Sequence, residues 1–265
     1  MNIEIIYNAN IVPALPISLV ASTTSGARAE FSRPGAGVLS LPAGPANRYR
    51  LAQWDNYHGL ARARFPWRPP ITVSLRARAS HKRVPGTWGF GLWNDPMSLS
   101  LGFGSGRKLP ALPNTAWFFF ASPENHLSLR DDLPGHGALV GIFRSPNLPT
   151  WLLAPGVFAL PLLALRPLAR WLRRLTARIV RQDTVALSLD PTLWHTYAWR
   201  WETNRVIFWV DGQTVMETTL APRGPLGLVI WVDNQFAAWR PDGSLQWGLL
   251  AGDGVQLNLE ELSIQ

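Results

Sequence analysis

Acid/base chemistry in this chain of 265 residues would fall to a few carboxylates that sit beside tryptophan. Asp55 follows Trp54, Asp95 lies in Trp93-Asn94-Asp95-Pro96, and Asp233 lies in Trp231-Val232-Asp233-Asn234. An indole beside a carboxyl excludes water, raises its pKa and suits it to donating a proton near neutrality. Glu124, in Ser122-Pro123-Glu124-Asn125-His126, completes the candidate catalytic set of Asp95, Asp233, Asp55 and Glu124. The competing reading of Asp95, and of Asp131-Asp132 further on, is turn chemistry, because Asp and Asn readily bond their own backbone. The 5 histidines show neither H-E-x-x-H nor H-x-H spacing, so no metal site is expected. With 0 Cys there are no disulfides, thiolate ligands or Cys nucleophile. GFGSGRK, from Gly102 to Lys108, lacks the spacing of a phosphate loop and a helix after it, and no cofactor is expected.

Strands must position these groups. From Trp194 to Val210, WHTYAWRWETNRVIFWV, apolar and polar residues alternate on both sides of Thr203-Asn204, the pattern of a hairpin. The turn at Asp211-Gly212 adds a third strand and makes an antiparallel meander, with Trp199, Trp201, Phe208 or Trp209 in the core. Ile71 to Ala79 alternates cleanly between a buried and a wet face. Gly86 to Pro96 and Thr115 to Ala121 are apolar on both faces, and a strand pair is expected between Tyr49 and Phe65. The 23 Pro and 22 Gly fall along the whole length as turn punctuation, which fits roughly a dozen short strands and one domain over residues 1–265. The fold class read from this is all-β, an antiparallel two-sheet jelly-roll sandwich with one amphipathic helical insertion.

That insertion runs from Leu148 to Asp183. Its first part is an apolar run of 15 residues from Trp151 to Leu165, broken by Pro155 and Pro161 and too short to span a bilayer. After Pro167, Leu168, Trp171, Leu172, Leu175 and Ile179 form one stripe, with Arg170, Arg173, Arg174, Arg178 and Arg181 on the other side. Net charge is +8, and 6 arginines fall between Arg166 and Arg181, so the charge is local. This is the pattern of an interfacial helix, and the expected partner of 151–181 is an anionic membrane surface. A subunit interface would serve the stripe as well, which leaves oligomerisation open. Nucleic acid is disfavoured, since most of the 14 Trp lie in apolar strand runs rather than beside arginines. The leading residues carry Glu4 and no Lys or Arg, unlike a signal peptide, so a cytoplasmic, peripherally membrane-associated protein is expected.

The segment WHTYAWRWETNRVIFWVDGQTV, with PLGLVIWVDN after it, resembles the C-terminal half of the concanavalin-like sandwiches of family-16 glycoside hydrolases. The resemblance continues upstream through YRLAQWDNYHGLARARF, ITVSLRARAS and PGTWGFGLWNDP and covers about two-thirds of the chain, excluding Leu148 to Thr184. In that family a strand of the form E-I-D-x-x-E supplies the paired carboxylates of hydrolysis. The matching strand here, NTAWFFFAS, has none. The resemblance therefore implies the family's sandwich and cleft without its catalysis. Trp54, Phe90, Trp93, Asn94, Trp117, Phe119, Trp231 and Asn234 are the candidate ligand contacts. The main expectation is a hydrophobic, lipid- or isoprenoid-like ligand in an apolar cleft under a membrane-associating lid, bound or converted by acid/base chemistry (isomerisation, cyclisation or hydration). The alternative is a carbohydrate-binding protein or a family-16 type hydrolase acting on a polysaccharide.

Overall fold

The computed structural model describes residues 6–8, 18–24, 26–96, 111–148 and 163–265. Among these described residues seventeen strands run in the order β1 (Ile6–Asn8), β2 (Val20–Thr23), β3 (Arg28–Arg33), β4 (Ala36–Leu41), β5 (Leu51–Asp55), β6 (Ile71–Ala79), β7 (Thr87–Trp93), β8 (Thr115–Ala121), β9 (Gly137–Arg144), β10 (Arg181–Ala186), β11 (His195–Trp201), β12 (Val206–Val210), β13 (Gln213–Thr218), β14 (Gly227–Asp233), β15 (Gln235–Trp239), β16 (Leu245–Leu249) and β17 (Val255–Ile264). The larger sheet has eight strands in the order β1-β2-β5-β14-β7-β8-β9-β10, and the smaller has seven, β13-β12-β11-β6-β17-β4-β3. Every pairing within the two sheets is antiparallel. The fold is the two-sheet antiparallel jelly-roll sandwich that the alternation and turn spacing imply.

The meander is β11-β12-β13, joined by the turn at Asp211, whose φ is 50°, and Gly212, at 78°. Trp199, Trp201 and Phe208 are fully buried between the sheets, while Trp209 falls on the opposite parity and stays half-buried outside. Tyr49 to Phe65 holds a single strand, β5, not a pair. The chain leaves it through Gly59 at φ 70° and closes in a 3-10 turn at Arg62–Arg64. The hairpin β15-β16 was not foreseen, and neither was β10, which follows the helix and pairs along β9 from Arg181↔Arg144 to Ala186↔Leu139.

The insertion's helix is α1 (Arg166–Ile179), with Pro167 in its first turn, where a missing N–H costs nothing. Its seating departs from the sequence reading. Arg173, placed with the solvated arginines on periodicity, is only 3% exposed. Its Nε donates to the Trp239 carbonyl at 3.0 Å and Nη2 to the Ser128 carbonyl at 2.9 Å, while Nη1 pairs with Asp131. Three converging acceptors can bury a guanidinium, whose planar fork supplies a donor for each. Residues 149–162, the apolar half of the expected lid, and most of the Gly/Ser loop before Ala111 lie outside the described residues. Among those described, no helix is long and apolar enough to cross a membrane.

Candidate functional site

The larger sheet is buried on both faces over much of its width. Ala116, Phe118 and Phe120 of β8 point into the core between the sheets, whereas Phe119 and Ala121 belong to a second cluster with Leu51, Tyr57, Phe65, Val229 and Trp231, against which Trp93 and Trp117 pack. Side chains directly opposite one another on paired strands share a face, so register maps this outer face. One row runs Gln53, Trp231, Gly89, Phe119, Leu139. The next runs Asp55, Val229, Gly91, Trp117, Gly141, Thr184, and a third runs Gly227, Trp93, Thr115, Phe143, Gln182.

Glycines let the large rings lie flat. A Cβ on Gly89 would come within 2.9 Å of the Trp231 ring, one on Gly91 would strike Trp117, and one on Gly227 would strike Tyr57. The Trp231 and Tyr57 rings thus lie over Gly89 and Gly227, while Gly91 admits the close approach of the Trp117 Cβ and backbone. Trp93 and Trp231 stack at 6.3 Å with planes 3° apart, and Trp117 tilts between them and Phe119, 5.8 Å from Trp231 and 4.8 Å from Phe119. Two side-chain bonds fix ring orientation. Trp93 Nε1 donates to the Tyr57 hydroxyl at 2.7 Å, and Trp231 Nε1 donates to Thr87 Oγ1 at 3.0 Å.

Thr87 Oγ1 in turn donates to Asp233 Oδ1 at 2.8 Å, and the backbone N–H groups of Thr87 and Gln235 donate to the same oxygen. Burial pushes the Asp233 carboxyl up to about 7, against the pull of these donors. Burial, and after it the Asp233 charge, also pushes the Tyr49 phenol well above its ordinary range. Asp233 therefore sits at the head of a chain that orients Trp231.

The other acids occupy equally structural positions. Asp55 is fully buried, accepting from Gln53 Nε2 at 2.9 Å and from the Tyr57 N–H at 3.2 Å. Asp95, 1% exposed, has φ 49°, and its carbonyl accepts from the Arg62 guanidinium. Burial pushes the Tyr57 phenol up strongly, with the Asp55 and Asp95 charges adding to it. Glu124 is exposed in the turn after β8. Asp55 and Asp233 lie on adjacent strands, yet their register positions are four residues apart, Asp233 facing Leu51. At about 3.3 Å per residue that is about 13 Å along the sheet. Glycoside hydrolysis needs about 5 to 5.5 Å for retention or 6.5 to 9.5 Å for inversion. No group of three or more His, Asp or Glu able to hold a metal occurs among the described residues.

Four of the residues singled out from sequence fall together on this face: Trp93, Trp117, Phe119 and Trp231. Trp54 and Phe90 do not. They have the opposite parity and pack between the sheets, Trp54 against Phe31 at 4.3 Å and Phe90 against Tyr197 at 5.0 Å. Asn94 and Asn234 serve the backbone. Asn94 bonds the Leu112 carbonyl and the Asn114 N–H, and Asn234 bonds Arg50 N–H and the carbonyls of Arg48 and Leu250.

A shallow recess of about 20 Å³ opens beside Trp117, floored by Trp117, Phe119, Leu139 and Phe143 and edged by Ser128, Gln182 and Thr184. Its polar edge comes from β10 and the loop before β9. Gln182 Oε1 accepts from the Leu129 N–H at 2.9 Å and its Nε2 donates to Thr184 Oγ1 at 2.9 Å. Sequence reasoning missed this edge because the helical period running up to Arg181 masked the alternation of Gln182 and Thr184 with Asp183 and Val185.

The sandwich is similar to solved glucanase structures. A Bacillus licheniformis beta-glucanase matches at TM-score 0.45 and 12% identity, over 97% of this chain and 96% of its own. A glycoside hydrolase family 16 endo-glucanase from Bacteroides ovatus matches at 0.48 and 12%, over 92% and 89%. A beta-1,3-glucanase from Mycobacterium marinum matches at 0.44 and 12%, over 98% and 97%. The likeness is one of fold. No protein-family model and no curated protein sequence matches the chain.

Proposed function

We propose that the outer face of the larger sheet binds a saccharide without cleaving it by the paired-carboxylate route. The carrying observation is the recess beside Trp117, where an aromatic floor meets an amide and hydroxyl edge in Gln182, Thr184 and Ser128. A sugar ring has the same two-sidedness: its C–H face lies against an indole and its hydroxyls reach sideways to polar groups. Its volume of about 20 Å³ makes it a shallow dent rather than a pocket, so a sugar ring would lie across the face and not enter it. In this reading Trp117, Phe119 and Phe143 form the floor, and Trp93 and Trp231 extend it along the sheet. No catalytic role goes to Asp55, Asp95, Asp233 or Glu124. The first two are buried beneath or beside aromatic rings, Asp233 is engaged with Thr87, and Glu124 stands in an exposed turn.

The test is affinity electrophoresis through gels carrying β-glucans, agar or carrageenan, with parent and Trp117→Ala. Retardation of the parent by one polysaccharide, lost in the variant and unaccompanied by new reducing ends, is the expected result. Retardation by none of them would sink the reading.

One observation favours an apolar ligand instead: the edge groups already bond one another, so a lipid- or isoprenoid-like molecule would leave little unsatisfied. Organic extraction of the purified protein followed by mass spectrometry separates the two. A stoichiometric apolar molecule, displaced in Trp117→Ala, would carry the second reading.

A further inference from the structure

Helix α1 docks through one narrow strip and leaves the rest of its surface outside. Ala169, Arg173 and Val180 mark the strip, all of them buried. Beside it, Trp171 is 58% exposed, Leu175 38% and Ile179 42%, and Leu165 at the helix start is 59% exposed. Positions 171, 175 and 179 advance by four and so form one continuous row along the helix axis. Apolar side chains aligned in this way differ from the scattered single ones that any surface carries.

On the far side of the row from the docked strip stand Arg170, Arg174 and Arg178, with Arg166 at the helix start and Arg181 just past its end, all exposed. The helix contains no carboxylate. Among the described residues none of these five arginines is in a salt bridge, although Arg170 donates to the Asp242 carbonyl, and the Asp242 carboxylate, held down first by its hydrogen bonds from Ser244, also feels the Arg166 charge. The molecule thus presents an apolar ridge bordered by exposed guanidinium groups along the helix.

We infer that α1 seats the protein on an anionic lipid surface, with Trp171, Leu175 and Ile179 at the level of the headgroups and Arg174, Arg178 and Arg181 against the phosphates. Charge complementarity selects this occupant. A second copy would bring the same arginines against themselves, since a two-fold interface apposes identical patches. Trp and Leu gain from leaving water while Arg keeps its charge among headgroups, the arrangement of interfacial helices. Arg173 takes no part, because it is spent on holding the helix to the body. The inference stands apart from the saccharide reading, since it uses none of the residues around Trp117.

The experiment is co-sedimentation with vesicles of pure phosphatidylcholine and with vesicles carrying 30% phosphatidylglycerol, over a range of salt. Two variants of the full chain are compared with the parent: Trp171→Ser/Leu175→Ser/Ile179→Ser and Arg174→Gln/Arg178→Gln/Arg181→Gln. All six positions are exposed, so both variants should fold, which circular dichroism checks. The parent should bind the anionic vesicles, weaken as salt rises, and bind neutral ones little. Removing three arginines should weaken binding about a hundredfold, at about fivefold per charge. The stripe variant should lose binding at every salt concentration. The inference fails if the parent does not bind anionic vesicles at low salt, or if the stripe variant binds as well as the parent. It also fails if the parent is a dimer that the stripe substitutions convert to a monomer, which would make a second copy the occupant.

Discussion

A carboxyl held at about 7 by burial ties the stability of the fold to pH through Asp233. In the unfolded chain this group ionises near its ordinary value of 3.8. In the folded chain it keeps its proton to about 7, so folding favours the protonated form. Its contribution to stability is therefore greatest below pH 4 and is lost as pH rises from about 4 to about 7. Three units correspond to about 4 kcal/mol at most, an order-of-magnitude figure. Denaturant titrations of the parent should show this decline, and Asp233→Asn, whose side chain cannot ionise, should lack it. An identical pH dependence in both would remove the titration from Asp233. The sequence put Asp233 in an apolar setting correctly, from Trp231 two residues away. It could not show Thr87, 146 residues distant, which turns the carboxyl towards holding an indole rather than meeting a ligand.

Among the elements, α1 depends most on a single contact. Truncation of Arg173 to Ala would leave the carbonyls of Ser128 and Trp239 without their donor, at about 2 kcal/mol for lost hydrogen bonds to a charged group. The loss should be local. Hydrogen exchange over Arg166 to Ile179 should speed up, while β6, β11 and β14 stay protected, and uniform acceleration throughout would show that the helix is not a separable unit. The helix was legible from its period, but not which arginine it buries, because all arginines contribute alike to an amphipathic pattern. Strand β8 posed the same problem in another form. With Trp117, Phe118, Phe119 and Phe120 in succession, both faces read as apolar, and only pairing with β7 and β9 sends Phe118 and Phe120 inward and the other two out. In β5 and β7, too, the parity that separates Trp54 and Phe90 from the outer face is set by the partner strands.

For the molecule as a whole, the core between the sheets and the outer face of the larger sheet should answer differently to truncation. Trp201, fully buried between the sheets and paired with Val206 and Ile71, should cost about 3 to 5 kcal/mol when replaced by Ala. Trp117, half-buried at the recess, should cost less and should remove ligand binding. Equal losses of melting temperature would mean that the outer cluster is as much a core as the inner one. The overall architecture was readable because turns and alternation recur every few residues and each strand reports its own period. The site was readable only where its residues lie on such strands. Its polar edge joins β10 to a loop some fifty residues earlier, a juxtaposition made by the fold.

The glycines that face Trp231, Trp117 and Tyr57 carry a consequence for how this surface can change over evolutionary time. Gly89, Gly91 and Gly227 cannot gain a side chain without displacing Trp231, Trp117 or Tyr57, and those rings in turn lean on one another. Floor and glycines are therefore inherited as a block, open to few single-step substitutions. Ser128, Gln182 and Thr184 are buried and bond one another and the Leu129 N–H, so they change only by exchanges that keep those bonds, and such exchanges leave the aromatic stack in place. Divergence in ligand preference among descendants of this chain should accumulate along that edge, over a floor that stays nearly invariant.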